Sequence, residues 1–425
     1  MNLRNLRLSS LQLGLLIVSL GAQILMAQKI GPGRELDSYF AAIGFAMAWV
    51  GSVAVSGTYL LPARILTDGD TAEQQSAIAG NGVIAIAAVG FCVAIISMVV
   101  FLASAAAGKQ TYPDENDNLL IGLSWTVAST SVLAAAWGAV GNAHGRVVGA
   151  LALGMLPQAF MVTYLLVVKE ASVVSMVGAQ LVGISVQTVC LARIYRSHWT
   201  LIGLDLPAVA RIAGNLPVAA AGALCFSAYA AVDAWLAPGF GEGVLSHQAL
   251  AQRLVIAFSA VLSAGPFMLA TSIVSTMLDQ GRTQDIWKYT FKAGIVLTGL
   301  CLVASALTPW IGKWAIGILF QRGSFGPSDT YAVSTVLTVL LIGAGPMLAS
   351  AVAFRVLHVM DHGVKVAILS LSWLIVYTIF AKFMSNWFGA LSLAIAYVVA
   401  WSTILFATFF CLARTLSERT KPAKY

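Results

Sequence analysis

Residues 79–107 read AGNGVIAIAAVGFCVAIISMVVFLASAAA, a run without one charged side chain. A helix crosses the hydrocarbon of a bilayer with about 20 apolar residues. An uncharged run beyond that length reads as a membrane span rather than a buried core helix. The helix is the conformation that such a segment can adopt in lipid, because it satisfies every backbone N–H and C=O internally.

Working outward, eleven more apolar runs flank this one. The pattern predicts helices near 9–28, 36–62, 79–107, 119–141, 147–168, 172–194, 208–237, 247–277, 288–309, 328–352, 363–385 and 387–413. Breakers fall between them, at Gly31-Pro32-Gly33, Asp68-Gly69-Asp70, Pro113-Asp114, Gly141-Asn142, Pro238-Gly239, Gly326-Pro327 and Asp361-His362-Gly363. Composition agrees. Of 425 residues 59% are hydrophobic and 10% charged, against about 25% charged in a soluble globular protein. Twelve spans of about 20 residues account for nearly all of that apolar content. The expectation is an all-α polytopic membrane protein with about 12 transmembrane helices and no room for a soluble catalytic domain. Arg4 and Arg7 before the run from Leu11 resemble a signal peptide, but the spans that follow favour a first membrane helix. Cys92, Cys190, Cys225, Cys301 and Cys411 all lie inside apolar runs, with neither metal-ligand spacing nor a disulfide framework.

The net charge of +7 follows loop topology and not nucleic-acid binding, since no Lys/Arg run interleaves with aromatics. With a cytoplasmic N-terminus, 16 of the 24 Lys and Arg residues fall on the cytoplasmic side, 7 on the other, and Arg253 within a helix. The positive-inside rule then places both termini in the cytoplasm. The acidic loop Asp114, Glu115, Asp117 falls outside. Gly31-Pro32-Gly33 followed by Asp37-Ser38-Tyr39-Phe40-Ala41 is faintly echoed by Pro238-Gly239 followed by Ser246-His247-Gln248-Ala249-Leu250. The echo suggests parallel repeats, two six-helix lobes over 1–200 and 201–425, with a substrate path between such repeats.

Polar groups inside apolar helices mark cavities or partners. Gln12, Ser19 and Gln23 share one face of the first helix, lining a hydrated path or bonding helix to helix. Asn215 and Asp233 lie 18 residues apart in the seventh run, five whole turns. Asp233 is a candidate for a coupling cation or proton, or an interfacial carboxylate. Arg253, after His247, Gln248 and Gln252, offers a permanently charged fork suited to phosphate oxygens. Its two readings are an anion-binding group and an ion pair with Asp37 or Asp233. Lys382 reads as a snorkelling side chain. His358, Asp361 and His362 read as loop residues rather than a metal site. No nucleophile–base constellation, P-loop or dinucleotide fingerprint occurs, so no enzyme activity and no cofactor are expected. Uphill transport would couple to Na+, H+ or the membrane potential.

Three strings carry a family resemblance. Ile30-Gly31-Pro32-Gly33-Arg34-Glu35-Leu36-Asp37-Ser38-Tyr39-Phe40-Ala41-Ala42 resembles the Gly-x-Gly-x-x-x-Asp-Ala-Phe segment of the MviN/MurJ-type lipid II flippases. Leu319-Phe320-Gln321-Arg322-Gly323-Ser324-Phe325-Gly326-Pro327-Ser328-Asp329-Thr330 resembles their Leu-Phe-x-Arg-Gly-x-Phe-x-x-x-Asp-Thr signature. Ala249-Leu250-Ala251-Gln252-Arg253-Leu254 looks like their Tyr-Ala-x-Arg-Leu motif, and Asp233 matches a seventh-helix aspartate. The resemblance implies the multidrug/oligosaccharidyl-lipid/polysaccharide exporter superfamily. It also implies a flippase moving a polyprenyl-pyrophosphate-linked glycan across the bacterial cytoplasmic membrane by alternating access. The substrate-binding set it suggests is Arg253, Gln252, Asp37, Arg34, Gln12, Ser19 and Gln23, with Asp233 and Asn215 for ion coupling. Partners would be the glycan lipid, membrane lipids and glycan-synthesis enzymes. The sequence departs from the family where arginines are expected, since 16–23 and 46–51 contain none. Export of an exopolysaccharide or O-antigen repeat unit, cation-coupled small-molecule antiport and a non-transporting scaffold are the competing expectations.

Overall fold

The computed structural model describes residues 3–69, 71–106, 117–198 and 205–420. Asp114, Glu115, Lys109, Lys421 and Lys424 of the charge analysis lie outside the described residues. Fifteen α-helices follow in order: α1 (Leu3–Lys29), α2 (Arg34–Asp68), α3 (Ala72–Ala106), α4 (Asp117–Ala143), α5 (Val147–Leu153), α6 (Leu156–Val167), α7 (Val173–Ile194), α8 (Leu206–Ala223), α9 (Tyr229–Leu236), α10 (Val244–Asp279), α11 (Thr283–Leu307), α12 (Lys313–Phe320), α13 (Pro327–Val359), α14 (Gly363–Phe388) and α15 (Leu391–Thr420). No strand occurs among the described residues. Among the described residues twelve segments are long and apolar enough to cross a membrane, as the sequence predicts, and the chain is an all-helical multi-pass membrane protein.

Three expected single helices are interrupted. The fifth run divides into α5 and α6 at Gly154-Met155, where Pro157 stands in the first turn of α6 and has no N–H to continue the ladder. The seventh divides into α8 and α9 through a 3₁₀ turn at Leu224–Phe226. The ninth does not stop near 309. A π turn at Thr308–Gly312, with Pro309 in its first turn, joins α11 to α12, so the span runs on to Phe320.

Contacts divide the chain into two compact units, Met1–Ser246 with Arg322–Phe325, and His247–Gln321 with Gly326–Tyr425. The first unit extends to Ser246 because α8 and α9 pack on α2 and α3. In the first unit α2 is the central element, enclosed by α3, α4, α8 and α9. Phe45 from α2, Phe101 from α3 and Trp125 from α4 meet there with ring centroids 5.1–6.3 Å apart. Lipid competes equally for apolar side chains, so membrane helices associate through close fit and interhelical hydrogen bonds. Trp125 Nε1 accordingly donates to Ser97 Oγ at 3.0 Å. In the second unit α13 is central, between α11 and α15. A Cβ on Gly345 of α13 would lie 2.8 Å from the Cα of Thr298 on α11, so the glycine sets how closely these helices approach. Trp373 and Tyr377 of α14 stack on each other and meet Tyr397 and Trp401 of α15 in edge-on and tilted contacts.

Candidate functional site

The turn between α1 and α2 brings several of the predicted residues into one region. Gly31 adopts φ +81°, a conformation open to glycine at little cost, and α2 begins three residues later. Glu35 and Asp37 fall in its first turn, where carboxylates complement the positive end of the helix dipole. Asp37 is fully buried. Its Oδ2 accepts from the Gly243 N–H at 2.6 Å and its Oδ1 from the Ser246 N–H at 2.7 Å. The Ser246 hydroxyl also donates to Oδ1. Asp37 therefore caps the start of α10. Glu35 Oε1 accepts from the Val173 N–H at 3.0 Å and so caps α7, and Lys29 Nζ donates to the Val168 carbonyl at 3.2 Å.

The Arg-Gly-Ser-Phe signature loop seats on this same turn. The Ser324 N–H donates to the Gln28 carbonyl at 2.8 Å. Gly323 has φ +61°, and a Cβ there would stand 2.2 Å from that carbonyl oxygen. Phe325 is buried. Beyond the loop, Asp329 Oδ2 accepts from the Gly326 N–H at 2.8 Å, the reach-back half of a capping box. Its Oδ1 lies 2.9 Å from His247 Nε2 within the second unit. The signature is thus a set of backbone fasteners.

The remaining predicted residues separate by burial. Arg253 on α10 is exposed, beside a buried Gln252. It makes no ion pair with any described residue of the second unit. Gln23 is buried and its Oε1 has no protein partner, whereas Ser19 is half-buried and Gln12 exposed. Arg34 is exposed. Asp233 is buried on α9, while Asn215 is exposed on α8. The break at 224–228 interrupts the helical register between them, so the 18-residue spacing does not give them a common face. Asp361 occupies a tight turn at φ +63°. Among the described residues no three His, Cys, Asp or Glu side chains gather where a metal could bind.

The profile of the family described as lipid II flippase MurJ matches residues 77–423. No curated protein matches the chain. Among solved structures, a lipid II flippase MurJ in an inward closed conformation superposes with a TM-score of 0.76 at 14% identity, covering 97% of this chain and 89% of that one. An inward-facing multidrug resistance MATE family transporter of the MOP superfamily gives 0.72 at 13% identity, covering 96% of each chain. At such identities the structural likeness establishes the fold, and the sequence profile, spanning most of the chain, establishes the family: this chain belongs to the lipid II flippase MurJ family.

Proposed function

We propose that the protein carries a polyprenyl-pyrophosphate-linked glycan of the lipid II type across the bacterial cytoplasmic membrane by alternating access, without chemically changing it. Both termini face the cytoplasm in this reading. Family membership over residues 77–423 supports the cargo class. The observation that carries the mechanism is Arg253, an exposed guanidinium without an ion-pair partner among the described residues, inside the span Val244–Leu262. A permanent charge at such a position is costly in hydrocarbon. A phosphate group relieves that cost by accepting two parallel N–H bonds. The cargo gains equally, since a pyrophosphate-sugar head taken into low dielectric without compensation costs many kcal/mol. Buried Asp233 is the candidate for cation or proton coupling, and the membrane potential supplies about 2.3 kcal/mol per charge per 100 mV. Enzymes that build the glycan are the protein partners of this reading.

Arg253→Ala abolishes translocation of a lipid-linked glycan in proteoliposomes, and Arg253→Lys retains part of it. Translocation by the alanine variant at the wild-type rate removes Arg253 from the mechanism. One observation favours a second cargo. Residues 16–23 and 46–51 lack the arginines that the family resemblance leads one to expect, which suits a less anionic head, such as an exopolysaccharide or O-antigen repeat unit. Rescue of a strain depleted of its lipid II flippase supports the first cargo. Failure despite normal membrane levels supports the second.

A further inference from the structure

The end of the first unit that carries the N-terminus of α1 holds a feature the transport reading does not use. α4 ends in a tight turn in which Gly145 has φ +70° and the Arg146 N–H donates to the Gly141 carbonyl at 2.8 Å. Tyr195, at the end of α7, is fully buried, and its hydroxyl donates to the Arg146 carbonyl at 2.8 Å. A Cβ on Gly141 would lie 2.3 Å from the Tyr195 ring, so glycine there admits the wedge. The His198 N–H donates to the Tyr195 carbonyl at 2.8 Å. This sets the His198 imidazole against that of His144, with ring centroids 4.3 Å apart and planes 23° from parallel. The Nε2 atoms of both rings are enclosed and lack a hydrogen-bond partner.

Three arginines lie beside this stack in the sequence. Arg146, Arg193 and Arg196 are exposed and make no ion pair with any described residue. The sequence has no Asp or Glu from 118 to 169 or from 171 to 204. α4 packs on α2, α3, α5 and α7, and the turn Arg196–His198 packs on α3 and α7. The charges that act on the rings are Arg146 and, for His144, the facing imidazole; Arg64 of α2 and the exposed Glu73 of α3 are not among them. Exposed apolar side chains border the cations: Val148 at 41%, Val189 at 62% and Ile194 at 48%. A ligand that fits has an anionic head for the arginines and hydrocarbon for the valines and isoleucine.

We propose that this end of the first unit is a docking surface for anionic phospholipid headgroups, held by Arg146, Arg193 and Arg196 and tightened when the stacked His144–His198 pair takes up a proton. A first proton places a charge beside Arg146 and the facing ring, and the lipid phosphate neutralises that charge. Without the lipid, burial first, and then for His144 the facing ring and Arg146, hold these imidazoles below their ordinary titration range. A neighbouring phosphate acts in the opposite direction. Acid pH therefore strengthens lipid binding, and the lipid makes the pair easier to protonate.

The test titrates the purified full chain in neutral detergent with short-chain phosphatidylglycerol, phosphatidylcholine or inorganic phosphate at pH 5.5 and 7.5, read by native mass spectrometry. Each exposed cation near a membrane surface is worth about fivefold in anionic-lipid affinity. Arg146→Gln, Arg193→Gln and Arg196→Gln should each weaken phosphatidylglycerol binding by about that factor and leave phosphatidylcholine unchanged. His144→Gln combined with His198→Gln should remove the difference between the two pH values. Lys313→Gln, at the other end of its span, is the control and should do nothing. Should the turn not tolerate Arg146→Gln, Arg193→Gln and Arg196→Gln decide alone, because both side chains are exposed on a helix end. Equal affinity for the two lipids, undiminished binding by the arginine variants, or inorganic phosphate competing at the lipid's own concentration overturns the proposal. None of these readouts requires translocation, so failure here leaves the cargo reading untouched, and the reverse holds too.

Discussion

Asp37→Ala tests whether the aspartate at the start of α2 binds cargo or builds the protein. The wild-type carboxylate takes three hydrogen bonds in a fully buried setting, from the Gly243 N–H, the Ser246 N–H and the Ser246 hydroxyl. A bond to a charged group contributes about 1.5–3 kcal/mol, and an orphaned buried donor costs about 1–3 kcal/mol. Removing the carboxylate orphans two backbone donors and one hydroxyl, which can turn elsewhere, so the loss is roughly 4 kcal/mol. At about 2–3 °C per kcal/mol for a unit of this size, the unfolding midpoint in detergent falls by roughly 10 °C. Asp37→Asn keeps Oδ1 but turns an NH2 toward the Gly243 N–H, and should cost about half as much. Ser246→Ala deletes one donor and costs about 1 kcal/mol. Placed on Asp37→Ala it costs almost nothing, because its partner is already gone. Tryptophan fluorescence melts of the four proteins give the cycle, and glycan translocation is measured on each. If Asp37→Ala leaves the midpoint within 2 °C or so of wild type while abolishing translocation, the capping account fails and the carboxylate touches cargo.

Gly323→Ala should lower the midpoint by several degrees, because φ +61° is unfavourable for alanine and the new Cβ would sit 2.2 Å from the Gln28 oxygen. A crystal structure or a melt indistinguishable from wild type would contradict it. Tyr195→Phe loses the bond to the Arg146 carbonyl and should cost about 1 kcal/mol, visible in the same melts. The lowered His144 and His198 titrations make the neutral rings part of the fold. In neutral detergent their contribution is complete above about pH 6.5, the ordinary histidine value, and declines as pH falls below it, where the unfolded chain binds more protons. Melts from pH 8 to 5 should show that slope, and His144→Gln with His198→Gln should flatten it.

The helices are legible from sequence because hydrocarbon forces each span to satisfy its own backbone, so length and hydropathy carry the information locally. The interruptions at 154–155, 224–228 and 308–312 are not legible in that way. Each lies inside an apolar run, and hydropathy does not register a turn whose side chains remain apolar. Pro157 and Pro309 were the available signals, but proline is tolerated in membrane helices often enough to leave the outcome to neighbouring contacts. The stacked histidines were missed for a related reason. Charged residues at span ends serve topology by default, and the fit of Tyr195 against Gly141, which brings His198 onto His144, joins positions 54 residues apart.

Asp37 and Arg253 looked alike in the sequence, each an ionised residue in an apolar stretch with an expected counter-charge. Three dimensions sort them. The counterpart of Asp37 is a set of neutral donors 206 and 209 residues away, which no periodicity could indicate. Arg253 keeps its exposure and has no protein counter-ion among the described residues. A guanidinium cannot shed its charge in a protein, so a membrane-embedded one needs water, lipid phosphate or cargo beside it. The Arg253→Lys variant separates these. Water solvates either cation equally well, whereas a bidentate phosphate contact is lost with the fork, so partial and not full retention of transport is the outcome that assigns the charge to a phosphate rather than to water.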